Sequence, residues 1–296
     1  MPELPDVTIY VERLKAFFGG QPLLAVRMTS PFFLRSFDPP VSAVEGKRLL
    51  DTRRVGKQVV MEMEEDLFLV FHLMIAGRFH LRKAGAKGGL ASLDFPNATV
   101  VVTEASTKKR ASLHLIRGED ALAGFRRTGI EVMEATLDEF MQALRRENHT
   151  IKRAMTDPDI LSGIGNAYSD EILHRARLSP VKLTRSITDE ELARLFHATR
   201  ETLQDWLEKF RSENKDGFPE KVTAFRPDMA VHGRFRQPCP VCGTPVQRIV
   251  HAENESNYCP RCQTEGRLLA DRALSQLLRK DWPRTIEELE QRRQVR

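Results

Sequence analysis

A chain of 296 residues, 41% hydrophobic and 29% charged, has the makeup of a soluble globular protein and is long enough for two domains with separate cores. Lys and Arg outnumber Asp and Glu by 46 to 41, with a pI near 9.1, an excess that permits nucleic-acid binding without demanding it. The longest apolar run, Leu67 to Gly77, is broken by His72 and too short to span a bilayer, and no secretory pattern opens the chain, so a cytoplasmic protein is expected.

The chain opens with Pro2-Glu3-Leu4-Pro5-Asp6 after Met1. Methionine is normally trimmed ahead of a small residue such as Pro, which would leave a secondary amine on Pro2 beside the Glu3 carboxylate. An α-amine has a reference pKa near ~8, so roughly a tenth or more of it is neutral at pH 7. A neutral amine can attack a sugar carbon and form a Schiff base, chemistry usually assigned to lysine. The plain alternative is a Pro-punctuated start with Asp6 capping the first helix. Val7, Tyr10, Val11, Leu14, Phe17 and Phe18 then keep helical spacing up to Gly19-Gly20. Strand-like runs follow at 23–29, 58–63, 67–73, 98–103 and 112–116, β-branched or aromatic and punctuated by Gly, Pro, Asn and Asp. They predict a mostly β domain to about residue 130. Beyond it the period changes, and 137–146, 151–156, 166–176 and 188–211 fit helices, the last opening with a capping box of Thr188 and Glu191. Residues 212–219 read as a flexible linker or loop. After 266 the chain is charged and helical in pattern, with Leu268, Leu269, Ala273, Leu277 and Leu278 on one stripe.

All four cysteines lie close together, as Cys239-Pro-Val-Cys242 and Cys259-Pro-Arg-Cys262. Two C-x-x-C knuckles at this separation match one structural zinc ion held by four thiolates, and Gly243 suits the tight turn after the first pair. With no open position, the metal folds a small hairpin and takes no part in catalysis. Such a ribbon identifies a module, not an activity.

The segment Ser162-Gly163-Ile164-Gly165-Asn166-Ala167-Tyr168-Ser169-Asp170-Glu171 lies between two helical patterns. Two glycines ahead of a helix expose N–H groups at its positive end, which suits a phosphate, and Asn166 can cap the helix or reach that phosphate. Alone, Gly-Ile-Gly-Asn is equally an interhelical turn, Lys57 a solvated edge charge, and Lys152 a surface residue of a charged helix. His72, inside an apolar run, reads as a satisfied core or hinge histidine.

The combination is more specific. Pro2-Glu3, Gly56-Lys57, Lys152 with Gly163-Ile164-Gly165-Asn166, and the terminal zinc knuckles, in this order and at these distances, resemble the formamidopyrimidine-DNA glycosylase and endonuclease VIII family. The resemblance covers about residues 1 to 265. It implies an α+β protein: an N-terminal β-sandwich with a leading helix (1–130), a helix–two-turn–helix domain (131–232) and a zinc-finger hairpin (233–266), followed by a helical extension (267–296). It implies a monomeric base-excision-repair enzyme that binds damaged or abasic double-stranded DNA and combines DNA glycosylase with abasic-site lyase activity. Pro2 would be the nucleophile at C1′ and Glu3 the acid/base. Lys57 would contact phosphate and assist proton transfer, with Lys152 and Asn166 gripping the backbone. Zinc would be the sole cofactor.

Departures from the family pattern fall at DNA-facing positions. The usual His-Leu-Gly-Met reads His72-Leu73-Met74-Ile75, so Ile75 takes the position of the intercalating wedge, with Met74 as its competitor. The void-filling Asp-Pro-Arg-Arg-Phe segment is absent; Arg110 is the replacement for its Arg, and no Phe equivalent exists. Pro158 stands where Gln is usual. In the hairpin, Asn254 occupies the place of an Arg that binds phosphate and supports the second elimination, which predicts an enzyme that stops at β-elimination unless Arg248 compensates. The segment 214–232 is short for a lesion-capping loop, which favours oxidised pyrimidines, ring-opened purines or abasic sites. Two rivals stand beside this reading: a non-catalytic relative that kept the DNA clamp, and a zinc-ribbon regulatory or ribosome-associated binder that leaves Pro2-Glu3 without a purpose.

Overall fold

The computed structural model describes residues 1–220, 222–223, 225–251, 254–269 and 282–294. The chain forms two compact units, residues 1–128 with 204–223, and residues 129–203 with 224–296.

In the first unit, helix α1 (Leu4–Phe18) precedes eight strands: β1 (Ala25–Met28), β2 (Leu49–Val55), β3 (Gln58–Met63), β4 (Leu67–His72), β5 (Gly77–Lys83), β6 (Ala91–Asp94), β7 (Ala98–Glu104) and β8 (Ser112–Arg117). They build two antiparallel four-stranded sheets, ordered β1-β6-β7-β5 and β2-β3-β4-β8. Phe71 of β4 meets Phe79 of β5 edge-on at 5.2 Å, joining the two sheets. β4 is buried along Leu67–Phe71 because its other face carries Phe68 and Val70 against Leu122 of the short helix α2 (Glu119–Ala123). Helix α1 closes this core with Tyr10 edge-on to Phe79 at 5.1 Å and Phe18 stacked on Phe95 at 4.2 Å.

The second unit holds α3 (Leu137–Arg145), α4 (Ile151–Thr156), α5 (Asn166–Arg175), most of α6 (Asp189–Glu213), the hairpin β9 (Gln247–His251) with β10 (Asn254–Tyr258), α7 (Pro260–Thr264) and α8 (Ile286–Gln294). α3 opens with a capping box in which Glu139 N–H donates to Thr136 Oγ1 and Thr136 N–H to Glu139. Part of the predicted tail stripe, including Ala273, Leu277 and Leu278, lies outside the described residues.

Several expectations need correcting. The first helix is capped by Glu3, not Asp6: it starts at Leu4, and Asp6 sits one turn in as the return partner of a capping box. β2, β5 and β6 lie outside the strand-like runs of the sequence, because Arg53-Arg54, Arg78, Arg82 and the short Ala-Ser-Leu-Asp run hide their alternation. The end of α6 and the segment after it are pinned to the first unit. Arg211 forks onto Glu12, Phe218 lies 6.0 Å from both Tyr10 and Phe17, and Glu220 accepts from His80 at 2.8 Å and Leu81 N–H at 3.0 Å.

Candidate functional site

In the first unit the site begins at the chain start. Pro5 fits the first turn of α1, where an N–H would have no partner. Glu3 N–H donates to Asp6 Oδ2 at 2.8 Å, and the Glu3 side chain accepts from Asp6 N–H, so the two carboxylates fix the direction in which residues 1–2 leave the helix. Glu3 and Asp6 are 1% and 0% exposed, respectively, a costly location for acids that need no burial to end a helix. Burial lowers the pKa of the amino terminus, here carried by Met1; the carboxylates of Glu3 and Asp6 oppose that shift, and Arg78 and Lys57 add to it. Burial also lowers the pKa of Lys57, partly offset by the Glu3 carboxylate.

Lys57 reaches this place through the two-residue turn between β2 and β3. Val55 pairs with Gln58 across it, and Gly56 takes the left-handed φ of 58° that such a turn requires. Gln58 in turn pairs with His72, and His72 with Ser112. The Gly56-Lys57 turn, the turn after β4 and the loop before β8 therefore emerge at one end of the second sheet. This end collects Lys57, Ile75 and Arg110. In the 73–77 turn Leu73 is buried, Met74 adopts φ 51°, and Ile75 is 55% exposed. A Cβ on Gly77 would lie 2.2 Å from the Leu73 carbonyl oxygen, so only glycine closes this turn. Of the two wedge candidates, Ile75 is the one presented outward. His72 is half-buried, and its Nδ1 accepts from Met74 N–H at 3.1 Å, which places its proton on Nε2. Arg110 is exposed on a loop held by the buried Glu104 carboxylate, which accepts from the backbone N–H groups of Arg110 and Ala111 at 3.1 Å each.

Asp6 carries a testable consequence. Full burial pushes its carboxyl from 3.8 up to about 7, and its Oδ1 has no hydrogen-bond partner among the described residues. The folded state thus holds a proton that the unfolded chain releases near pH 4. The associated stability is complete below that pH and is lost as pH rises through about 7. Asp6→Asn should therefore match the wild type in thermal unfolding at pH 4 and exceed it at pH 8, by on the order of a few kcal/mol. Parallel pH profiles for the two proteins would show that Asp6 does not titrate in this range.

The second unit gathers its own cluster at the start of α5. Gly163 at φ 82° turns the chain, Gly165 caps the helix, and Asn166 is its first residue. Lys152 from α4 donates to the Asn166 carbonyl at 2.6 Å and to Asp170 Oδ1 at 2.5 Å. The other Asp170 oxygen meets His232 Nδ1 at 2.8 Å and Asn257 Nδ2 at 3.4 Å. Asn166 Nδ2 donates to the Glu255 carbonyl of the hairpin at 2.8 Å. Sequence reasoning found Lys152 and Asn166 but missed Asp170 and His232. The clue was an acidic pair, Asp170-Glu171, inside a segment otherwise suited to anions. Glu171 accepts from the N–H groups of Ala230, Val231 and His232 at 2.7–2.9 Å, and burial raises its pKa.

The four cysteine sulfurs lie within 4.8 Å of one another. Pairs at 3.4, 3.6 and 3.9 Å bracket the roughly 3.8 Å edge of a tetrahedron with ~2.3 Å zinc–sulfur bonds, so the residues fit the ion. Gly243, at φ 75°, turns its N–H onto the Cys239 carbonyl at 2.9 Å, and Cys262 N–H points at Cys259 Sγ at 3.5 Å. Asn254 opens β10, and its side chain lies outside the described residues. Arg248 is engaged by Glu255 at 3.0 Å and stands 4.5 Å over the Phe235 ring.

Three family models match consecutive stretches: the formamidopyrimidine-DNA glycosylase N-terminal domain over residues 1–127, its H2TH domain over 130–215, and the zinc finger found in FPG and IleRS over 236–264. A formamidopyrimidine-DNA glycosylase of Thermus thermophilus is 33% identical over 277 residues, covering 90% of this chain and all of the relative. The chain belongs to the formamidopyrimidine-DNA glycosylase family. The crystal structure of the MutM (Fpg) protein from Thermus thermophilus superposes with a TM-score of 0.75 at 31% identity, over 88% of this chain and 98% of the other. A MutM complex with DNA containing carbocyclic 8-oxo-G gives 0.78 at 25% identity, over 89% and 100%. Family membership accounts for the α+β architecture and the zinc finger together. No described helix is long and apolar enough to cross a membrane.

Proposed function

We propose that this protein is a base-excision-repair DNA glycosylase with abasic-site lyase activity, acting on oxidised or ring-opened bases in double-stranded DNA. The observation that carries the reading is the chain start: a half-buried amino terminus beside the buried Glu3 carboxylate, with a Lys57 amine whose pKa burial lowers next to them. After removal of Met1, the Pro2 nitrogen lone pair forms a bond to C1′ as the glycosidic bond breaks, and the base leaves with a proton. Loss of a proton from nitrogen, then breakage of the C1′–O4′ bond with protonation of O4′, gives the iminium ion. Removal of a C2′ proton then expels the 3′ phosphate. Glu3 is the acid/base of these transfers and Lys57 the cation on the neighbouring phosphate. Ile75 fills the gap left by the extruded nucleotide, and Arg110, Lys152 and Asn166 hold the strand. Zinc held by Cys239, Cys242, Cys259 and Cys262 is structural. The protein works as a monomer in the cytoplasm, with domain limits near residues 130, 232 and 266.

Borohydride reduction in the presence of a duplex carrying one abasic site should yield a stable adduct mapped to Pro2. Intact binding without an adduct would favour the rival reading of a non-catalytic DNA binder.

The hairpin sets the product. A neutral Asn254 in place of Arg, with Arg248 held by Glu255, removes cation from the hairpin. Strand cleavage should stop mainly at β-elimination, leaving unsaturated aldehyde 3′ ends. Asn254→Arg should raise the share of 3′ phosphate. Wild-type products dominated by 3′ phosphate, and unchanged in Arg248→Ala, would refute this assignment.

A further inference from the structure

We propose that His174 belongs to the zinc site as an outer-sphere residue, donating its Nε2–H to the Sγ of Cys239 and so retaining the ion. The contact is 3.3 Å long and buried, with His174 6% and Cys239 2% exposed. It links a residue of the last turn of α5 to a ligand 65 positions further along the chain. The identity of the side chain is the unusual part. Tyr168, Ile172 and Leu173 of the same helix are fully buried, and an apolar residue at 174 would pack in the same setting without burying a polar ring.

The chemistry favours a donor there. Four thiolates around a divalent cation leave a net charge of −2, and each N–H aimed at a sulfur disperses part of it in surroundings of low dielectric. Cys259 receives such a donor from the backbone of its own knuckle, Cys262 N–H. For Cys239 the donor comes from outside the finger. Its backbone N–H goes to the Thr244 carbonyl at 2.9 Å and its carbonyl accepts Gly243 N–H, while the sulfur faces the imidazole. Around it, Val231 and Val246 are apolar, and the other polar atoms of this cluster are the ligand sulfurs, which as thiolates accept hydrogen bonds and do not donate. His174 is therefore a positioning residue of the metal centre, acting through Cys239. The inference rests on the four-thiolate zinc reading alone, so a failure of the DNA chemistry would leave it standing.

The test uses full-length, zinc-loaded protein and follows zinc transfer to a chromogenic chelator in His174→Phe and His174→Gln. Phe fills the space without a donor; the Gln amide nitrogen has about the reach of Nε2. Zinc affinity should fall roughly 10- to 100-fold in His174→Phe and stay within about threefold of wild type in His174→Gln. With Co2+ in place of zinc, the sulfur-to-metal charge-transfer band should shift in His174→Phe and return in His174→Gln. Wild-type retention and an unshifted band in His174→Phe would overturn the proposal. Equal zinc loss and equal band shifts in both variants would assign His174 to packing and overturn it as well.

Discussion

A chain carrying one uncleavable residue ahead of Pro2 is expected to bind an abasic duplex as tightly as the processed protein and to cut it more slowly by on the order of 10³-fold or more. Acylation turns the Pro2 nitrogen into an amide whose lone pair is delocalised into the carbonyl, so it neither accepts a proton nor attacks C1′. Nothing else in the first unit needs to change. α1 starts at Leu4, and its capping box uses Glu3 and Asp6, downstream of the altered bond. The half-buried Met1 shows that an added residue is accommodated at the amino terminus. Binding by anisotropy and cleavage by gel on the same preparations separate the two effects. Full cleavage by the extended chain would remove Pro2 from the mechanism.

The second large effect concerns the metal. Cys259→Ser should lose zinc and with it the hairpin, lowering affinity for abasic DNA more than tenfold while α5 stays folded. Structural zinc supplies about 10–16 kcal/mol in isolated fingers, and the hairpin has little with which to replace it. Its buried cluster is Val231, Val246 and two of the ligands themselves. The loss reaches the start of α5 through two contacts, Asn166 Nδ2 to the Glu255 carbonyl and Asn257 Nδ2 to Asp170. The helix itself is anchored otherwise, by fully buried Tyr168, Ile172 and Leu173. Hydrogen exchange should show fast amides across β9, β10 and α7 and slow ones in α5. Unchanged hairpin protection in a zinc-free variant would contradict a structural role for the ion.

Sequence reading succeeded where one residue type dominates the chemistry or the period. β3 and α4 match their predicted bounds to the residue, because the β-branched and apolar run Val59-Val60-Met61 and the helical spacing of Ile151, Ala154 and Met155 admit few alternatives. The cysteine spacing carried the zinc site, and Pro2-Glu3 carried the catalytic proposal. Failures share a cause: contacts between distant positions leave no local trace. Arg78, Arg82 and Lys83 make β5 look like a loop, yet pairing of Gly77–Lys83 with Ala98–Glu104 makes it a strand. Phe218 and Glu220 sit in a polar stretch, and only their partners Tyr10 and His80 turn that stretch into part of a core. His174 and Asp170 read as ordinary helix residues until Cys239 and His232 arrive beside them.

The fastening of residues 204–223 onto the first unit bears on how the protein can be divided. The polypeptide crosses between the two units three times, after residues 128, 203 and 223. A fragment ending at 128 would lack Phe218, Glu220 and Arg211, and would leave Phe17, Tyr10 and Glu12 without those neighbours. The first 128 residues are therefore not a self-sufficient module. Joining a foreign second half to the first unit, whether by recombination or at the bench, requires carrying the stretch from 204 to 223 along with the first 128 residues.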